Sequence, residues 1–197
     1  MINLCVMADG VVWFGVACDE KRVFATSFGF SKASVLRGLL AGIPFNVPFQ
    51  HADETFQFAE YILDLVKSVY YGKEISVNVP LAMEHLSVYM QNVIKVVSLI
   101  PLGYVASYGG VAKVSGGSPR AVGRVVARNP FAPIVPCHRV VCSDMSLGGY
   151  GGGLNVKLDL LKRENKGYTN KKELLVNSKK FELFPVEFVL RKVQSKK

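Results

Sequence analysis

Half of the 197 residues are hydrophobic and one-fifth are charged, enough to build a core for one domain or two small ones and too apolar for a disordered chain. No apolar run approaches the roughly 18–20 residues of a membrane-spanning helix. The first nine residues reach Asp9 without a basic cluster, so no secretory leader is expected, and a soluble cytoplasmic protein (nuclear in a eukaryote) is. The net charge of +9 divides into +3 over residues 1–165 and +6 over residues 166–197: a mildly basic body with a basic tail.

Residues 11–18 and 22–28 are β-branched and aromatic, and Asp19-Glu20-Lys21 between them makes a hairpin. Residues 31–41 predict a helix with Ser31 as N-cap and Gly42 as stop. A stronger helix is predicted over 53–71, capped by Asp53, with Phe56, Ala59, Ile62, Leu63, Val66 and Val69 recurring at three and four. A short extended piece, 75–80, and a helix from Met83 to Leu99 follow. Beyond Pro101, glycines, arginines and prolines replace long amphipathic stretches, which places a domain boundary near residues 75–83.

Ser107 can cap a short helix through Val114, and Gly116-Gly117 makes a turn. Ser118 caps a second helix with Pro119 at its first position, and Asn129-Pro130 stops it, a helix-turn-helix pattern. Arg120, Arg124 and Arg128 form an outward stripe with no acid among them. A solvated face is the common fate of such a stripe. The small residues Ala121 and Gly123, the latter costing about 1 kcal/mol in a helix interior, favour a surface that another backbone approaches closely, and hence nucleic acid.

The three prolines between Asn129 and Cys137 predict a stiff extended segment that delivers Cys137 and His138 at one point. Adjacent residues of an extended chain face opposite ways, so a bridging water fits better than a direct Cys–His bond. A buried cysteine beside a core histidine is the plainer reading on spacing alone. Five glycines around Tyr150 make a linker or a loop whose backbone meets a ligand, without the Gly-Lys-Ser/Thr of a phosphate loop. Residues 154–164 predict a helix with Leu154, Leu158 and Leu161 on its apolar face.

Together these pieces resemble the O6-alkylguanine-DNA alkyltransferases. The resemblance runs from Ile100 to Glu164 and rests on Ile100-Pro101-x-Gly103-x-Val105-x-Ser107-Tyr108, Arg120-Ala-Val-Gly123, Asn129-Pro130, Pro136-Cys137-His138-Arg139-Val140-Val141, and Gly149-Tyr150-x-Gly152-Gly153-Leu154 with Lys157 and Glu164. It implies an α+β fold: a small N-terminal α/β (ribonuclease-H-like) domain over 1–80, a mainly helical winged helix-turn-helix domain over 81–165, and a basic extension over 166–197. It also implies a single-use DNA-repair enzyme, a monomer without cofactor or metal. Such an enzyme binds double-stranded DNA in the minor groove, flips an O6-alkylguanine and takes the alkyl group irreversibly onto its own cysteine.

By the same resemblance Cys137 is the acceptor, and His138, Glu164 and a water carry its proton away. Tyr108 helps extrude the base and serves the leaving guanine, Arg120 fills the vacated stack, and Asn129 holds the turn before the cysteine segment. Arg124, Arg128, Ser107 and Tyr108 are expected at the DNA. Val140, Tyr150, Gly151 and Gly152 are expected in the pocket, with the carbonyls of Cys137 and Val140 reading the guanine amine. Gly110 stands where the family commonly has a larger residue, and Asp159 where a tryptophan is common, so the helix carrying Glu164 is expected to pack differently, against the tail. Zinc held by Cys5, Cys18 and His85 has no supporting Cys-x-x-Cys spacing, and two buried strand cysteines are the better reading.

Three rivals stand beside this reading. A lesion binder of the same family would lack the acceptor cysteine. A winged-helix transcription factor explains the arginines but not the Cys137 motif, and a thiol hydrolase leaves the basic helix unexplained. The tail's centre, Phe181 to Leu190, is too apolar for a free arm. Pro185 forbids one continuous helix there, so an extended segment packed on the body is expected, with its lysines solvated and drawn to DNA.

Overall fold

Alternating β-branched and aromatic residues near the N-terminus form a sheet, seen in a computed structural model that describes residues 1–52, 55–74 and 78–195. The chain packs as two units, Met1–Leu86 with Asn129–Ile134, and Ser87–Arg128 with Val135–Lys197. Among the described residues no helix is long and apolar enough to cross a membrane.

In the first unit, β1 (Ile2–Asp9), β2 (Val12–Cys18) and β3 (Val23–Gly29) pair antiparallel, and β4 (Phe49–His51) joins β1 in parallel, giving the order β3-β2-β1-β4. The Asp19 carboxylate closes the β2–β3 hairpin by accepting from the N–H of Lys21 at 2.8 Å and Arg22 at 2.6 Å. Helix α1 (Lys32–Gly42) starts where Ser31 Oγ accepts from Ser34 N–H at 3.2 Å. It lies so close to β2 that a side chain at Gly15 would overlap Val35. Helix α2 (Gln57–Tyr70) packs on β2 too, and Tyr70 meets Phe14, on the alternate face from Gly15, edge-on at 5.4 Å. Cys5 and Cys18 are fully buried in β1 and β2, as strand cysteines should be, and His85 is exposed. Burial pushes both thiols up, Cys18 to about 12 with Cys5 and Asp19 adding to it.

The second unit opens with α3 (Val88–Ser98), capped by Ser87. β5 (Tyr104–Ser107) runs straight into α4 (Tyr108–Ser115), and α5 (Pro119–Val126) follows the glycine turn. A 3₁₀ turn at Cys137–Arg139 leads into β6 (Val140–Val141), and α6 (Leu154–Arg163) ends in Glu164. β7 (Lys172–Val176), β8 (Lys179–Pro185) and α7 (Val186–Gln194) complete it, with sheet order β6-β5-β8-β7. β5 and β6 are parallel through two pairs, Ala106 with Val140 and Ser107 with Val141, while β8 covers the other edge of β5.

Several sequence expectations need correction. β1 was not predicted. α2 begins at Gln57, with Phe56 as N-cap; the cap expected at Asp53 lies outside the described residues, as do positions 75–77 of the expected extended piece. α3 begins at Val88 because Ser87 Oγ accepts from Met90 N–H at 3.3 Å, which leaves Met83 and Leu86 outside the helix. The proline-rich segment before Cys137 is a run of turns, and Cys137, His138 and Arg139 form a 3₁₀ turn rather than extended chain. On α6 the buried face is Lys157, Leu160 and Leu161 with Glu164; Leu154 is exposed and Leu158 only half-buried. Residues 166–195 are structured, and Phe181, Leu183, Val186 and Val189 are core. Leu161 joins Val186 and Val189 in one cluster, so the helix that carries Glu164 does pack against the tail. A β-carbon on Gly110 would stand 3.2 Å from Ser107 Oγ, the cap of the helix it opens, and in ordinary contact with the Phe181 ring at 3.8 Å.

Candidate active site

Three consecutive caps build the helix-turn-helix. Ser107 Oγ accepts from Gly110 N–H at 2.9 Å and sets Tyr108 at the first position of α4. The turn backbone at Gly116 and Gly117 has φ of +86° and +81°, where a side chain would be strained and, at Gly117, would meet the Tyr89 ring. Ser118 Oγ accepts from Ala121 N–H at 3.2 Å and starts α5 behind Pro119. Gly123 of α5 faces Tyr108 of α4, where a β-carbon would make ordinary contact at 3.9 Å.

Between α5, Cys137 and the glycine loop lies a cavity of 580 Å³, large enough for a nucleobase, lined by Tyr108, Arg120, Arg124, Cys137, Cys142 and Tyr150 among others. The Tyr108 hydroxyl donates to the Gly149 carbonyl at 3.3 Å. Burial pushes it up, and the neighbouring Cys142 and Cys137 add to the shift, so it stays a protonated donor at neutral pH. Tyr150 is pushed up further, again chiefly by burial.

Behind Cys137 the side chains are ionisable and buried. His138 is fully buried, and its Nε2 is 2.8 Å from Glu164 Oε1. Arg139 donates through Nε and Nη2 to the two Glu164 oxygens, each at 2.9 Å, and through Nη1 to the Ile100 carbonyl at 2.6 Å. Burial alone would raise the Glu164 carboxyl, but His138 and Arg139 overcome it and hold it at about 2. Burial also lowers His138, against the pull of Glu164, so the ring is neutral at pH 7. A neutral ring that donates Nε2–H to a carboxylate carries its lone pair on Nδ1. That atom is buried and has no partner among the described residues.

Lys157 is the second buried cation. Its ammonium donates to the carbonyls of Val140 at 2.6 Å, Leu147 at 2.5 Å and Gly149 at 3.2 Å. It thereby ties the glycine loop to the strand that leaves the cysteine turn. Burial brings it down to about 8, and Cys137 and Cys142 act in the opposite sense.

Of the residues expected at the site, Cys137, Tyr108, Arg120, Arg124, Tyr150 and Gly151 meet at the cavity, and His138 with Glu164 stands behind it. Arg128 falls beyond the end of α5 and is not in the lining, nor is Gly152. Ser107 serves as a helix cap. The carbonyls expected to read a base each accept one bond, Val140's from Lys157 and Cys137's from the Val140 N–H, and each keeps a second lone pair. Asn129 belongs to the first unit, where its Oδ1 accepts from Phe131 N–H at 3.0 Å and holds the turn. Sequence reasoning assigned no role to Arg139 or Lys157. The signal for Lys157 was available: 157, 160, 161 and 164 are one helical face, and two of its four residues are ionisable.

Residues 88–166 match the family described as 6-O-methylguanine DNA methyltransferase, DNA binding domain. The chain is 60% identical over 65 residues to a methylated-DNA–protein-cysteine methyltransferase of Pyrobaculum aerophilum, covering 33% of this chain and 44% of that one. In sequence it therefore spans less than half the length of that curated relative. Its fold is similar to the O6-methylguanine-DNA methyltransferase of Pyrococcus kodakaraensis, with TM-score 0.61 and 27% identity over 83% of this chain and 99% of that one. It is similar also to Mycobacterium tuberculosis OGT in complex with DNA, with TM-score 0.65 and 26% identity over 82% and 92%.

Proposed function

Residues 88–166 match the 6-O-methylguanine DNA methyltransferase family, and on that premise we propose that the chain belongs to it and repairs DNA by moving the alkyl group of O6-alkylguanine irreversibly to Cys137. The observation that carries this reading is the pairing of a cavity-lining cysteine with a buried histidine whose Nε2 is held by Glu164 and whose Nδ1 has no partner among the described residues.

Sulfur attacks the alkyl carbon; the carbon–sulfur bond forms as the carbon–O6 bond breaks, and the electrons return to guanine. The thiol proton passes through a water to His138 Nδ1, and Glu164 stabilises the imidazolium so formed. Lys157, fixed by three carbonyls, favours the thiolate before attack. Tyr108 gives the leaving guanine its proton and recovers one from solvent, and the His138 imidazolium returns its proton to solvent, so that in sum one proton leaves the thiol and one reaches the base. Donors aimed at the departing guanine act where charge appears in the transition state. No cofactor enters this balance. The product is a thioether without a water-labile bond, which limits each molecule to one turnover.

The substrate is double-stranded DNA, entered from the minor groove by α5, with the damaged base flipped into the cavity and the Arg120 guanidinium stacked in its place. Asn129 keeps the turn that joins the helix to the cysteine segment. The protein acts as a monomer in the cytoplasm, or in the nucleus of a eukaryote. Incubation with benzylguanine followed by intact mass and peptide mapping tests the reading. One benzyl group on Cys137 is expected, and a protein that binds alkylated duplex yet takes no benzyl group is a lesion binder instead.

A further inference from the structure

The β7–β8 hairpin lies beyond the family match, which ends at residue 166, and its turn is unusual. Val176 pairs with Lys179, leaving a two-residue turn of Asn177 and Ser178 with φ of +50° and +60°. Such turns favour asparagine followed by glycine, because glycine alone adopts positive φ without strain. Serine at the second position is strained, and it is exposed, so no packing explains it. Its neighbour Asn177 donates from Nδ2 to the Val114 carbonyl at 3.2 Å. That bond pins the turn beside the last helical residues of α4, just before the glycine turn that leads into α5. Lys113 in α4 and Lys179 in the hairpin are both exposed there, and neither is in an ion pair among the described residues, whereas Lys180 is paired with Glu173 at 3.2 Å. In a helix-turn-helix the first helix crosses the phosphodiester backbone. The α4 carboxyl end would repel a phosphate; the Asn177 amide satisfies one of its carbonyls and the two lysines offset its negative end.

We infer that the Asn177–Ser178 turn with Lys179 is a second DNA contact of this chain, in which the Ser178 hydroxyl and the Lys179 ammonium bind backbone phosphates of the duplex beside α4. The inference rests on the DNA-repair reading for its partner and extends it to a part of the chain outside the family match. It assigns the hairpin affinity without sequence preference, since phosphate contacts position a protein and carry no base information.

The test uses the full chain and a lesion-free duplex of two helical turns, titrated across a salt series. Lys179→Ala should lower the slope of log affinity against log salt by about one unit. Ser178→Gly should weaken binding about threefold while its melting temperature stays level or rises, because glycine relieves the turn. Unchanged affinity and slope in both variants overturn the inference, and so does a Ser178→Gly protein that loses affinity and melting temperature together, since the serine would then serve the fold. The two readings fail separately: a wild-type chain that takes no benzyl group from benzylguanine overturns alkyl transfer, while the salt series alone decides the hairpin.

Discussion

Cys5 and Cys18 in the first unit and Cys137 and Cys142 in the second are four cysteines outside any disulfide, in contrasting surroundings. By exposure alone Cys137, at 6%, is nearly as buried as Cys18, at 0%. What separates them is the company. Cys18 sits in a sheet with Cys5 and Asp19 near it, and its thiol is held protonated far above neutral pH. Cys137 has a cavity in front, a neutral histidine next in the chain and a buried ammonium close by. Burial is the larger cause of the Cys18 shift and its neighbours add to it, whereas Cys137 adjoins a cavity and the Lys157 ammonium, the setting the proposed reaction needs.

The sharpest way to break that contrast is Cys137→Ala. It should abolish benzyl transfer completely and leave binding to alkylated duplex largely intact. Label found on Cys142 by peptide mapping would show that the cavity, rather than the residue, confers reactivity.

Glu164→Gln comes next and should slow transfer on the order of 100-fold, measured in single-turnover kinetics, because the amide cannot stabilise an imidazolium. The same carboxyl has a pH signature. Its ordinary value is 4.5 and the fold holds it at about 2, so it contributes stability that is present above pH 4.5 and lost as pH falls toward 2. His138 is lowered from 6.5, so the unfolded chain takes up its proton first and stability begins to fall as pH drops below 6.5. Urea melts across pH 2–7 should show both losses in the wild type, and the lower one should be flattened in Glu164→Gln.

Arg120→Ala should slow repair of duplex DNA about tenfold while changing transfer from free benzylguanine far less, since a free base needs no extrusion. Equal losses on the two substrates would make Arg120 part of the pocket wall.

The smallest effect tests the contrast from its other side. Native protein treated with iodoacetamide should be carbamidomethylated at Cys137 before Cys5 or Cys18, and Lys157→Met should move the pH profile of Cys137 modification upward. A profile that does not move would remove Lys157 from the account of what distinguishes the thiols.

The second unit was more legible in the sequence than the first. Ser107, Ser118 and Pro119 act through bonds three residues long, and Gly116-Gly117 through local backbone geometry, so the helix-turn-helix can be read without knowing the rest of the fold. Arg139 and Glu164 meet across 25 positions, and no local rule reports such a pair. Lys157 was hidden for another reason: reading the helix by its leucines put the apolar face a residue out of phase, and a buried lysine looked like a solvated one. β1 was missed because its alternation is blurred by partly buried residues on both faces. Gly110 and Asp159 were noticed as departures, and nothing in the structure explains Asp159, which is exposed beside Lys162 at 3.7 Å.

The parallel ladder between β5 and β6 is two residue pairs long, yet in the proposed mechanism it sets the spacing of the reacting groups. Tyr108 follows the end of one strand and Cys137 stands three residues before the start of the other, so donor and nucleophile are gauged against each other by Ala106–Val140 and Ser107–Val141. A slip of one residue would displace them by about 3.3 Å and turn alternate side chains to the wrong face. A shift of that size breaks any hydrogen bond it lengthens, so the tolerance of the chemistry is finer than one step of the ladder. Two pairs make a weak gauge, and the β8 strand laid along the other edge of β5 acts as its splint.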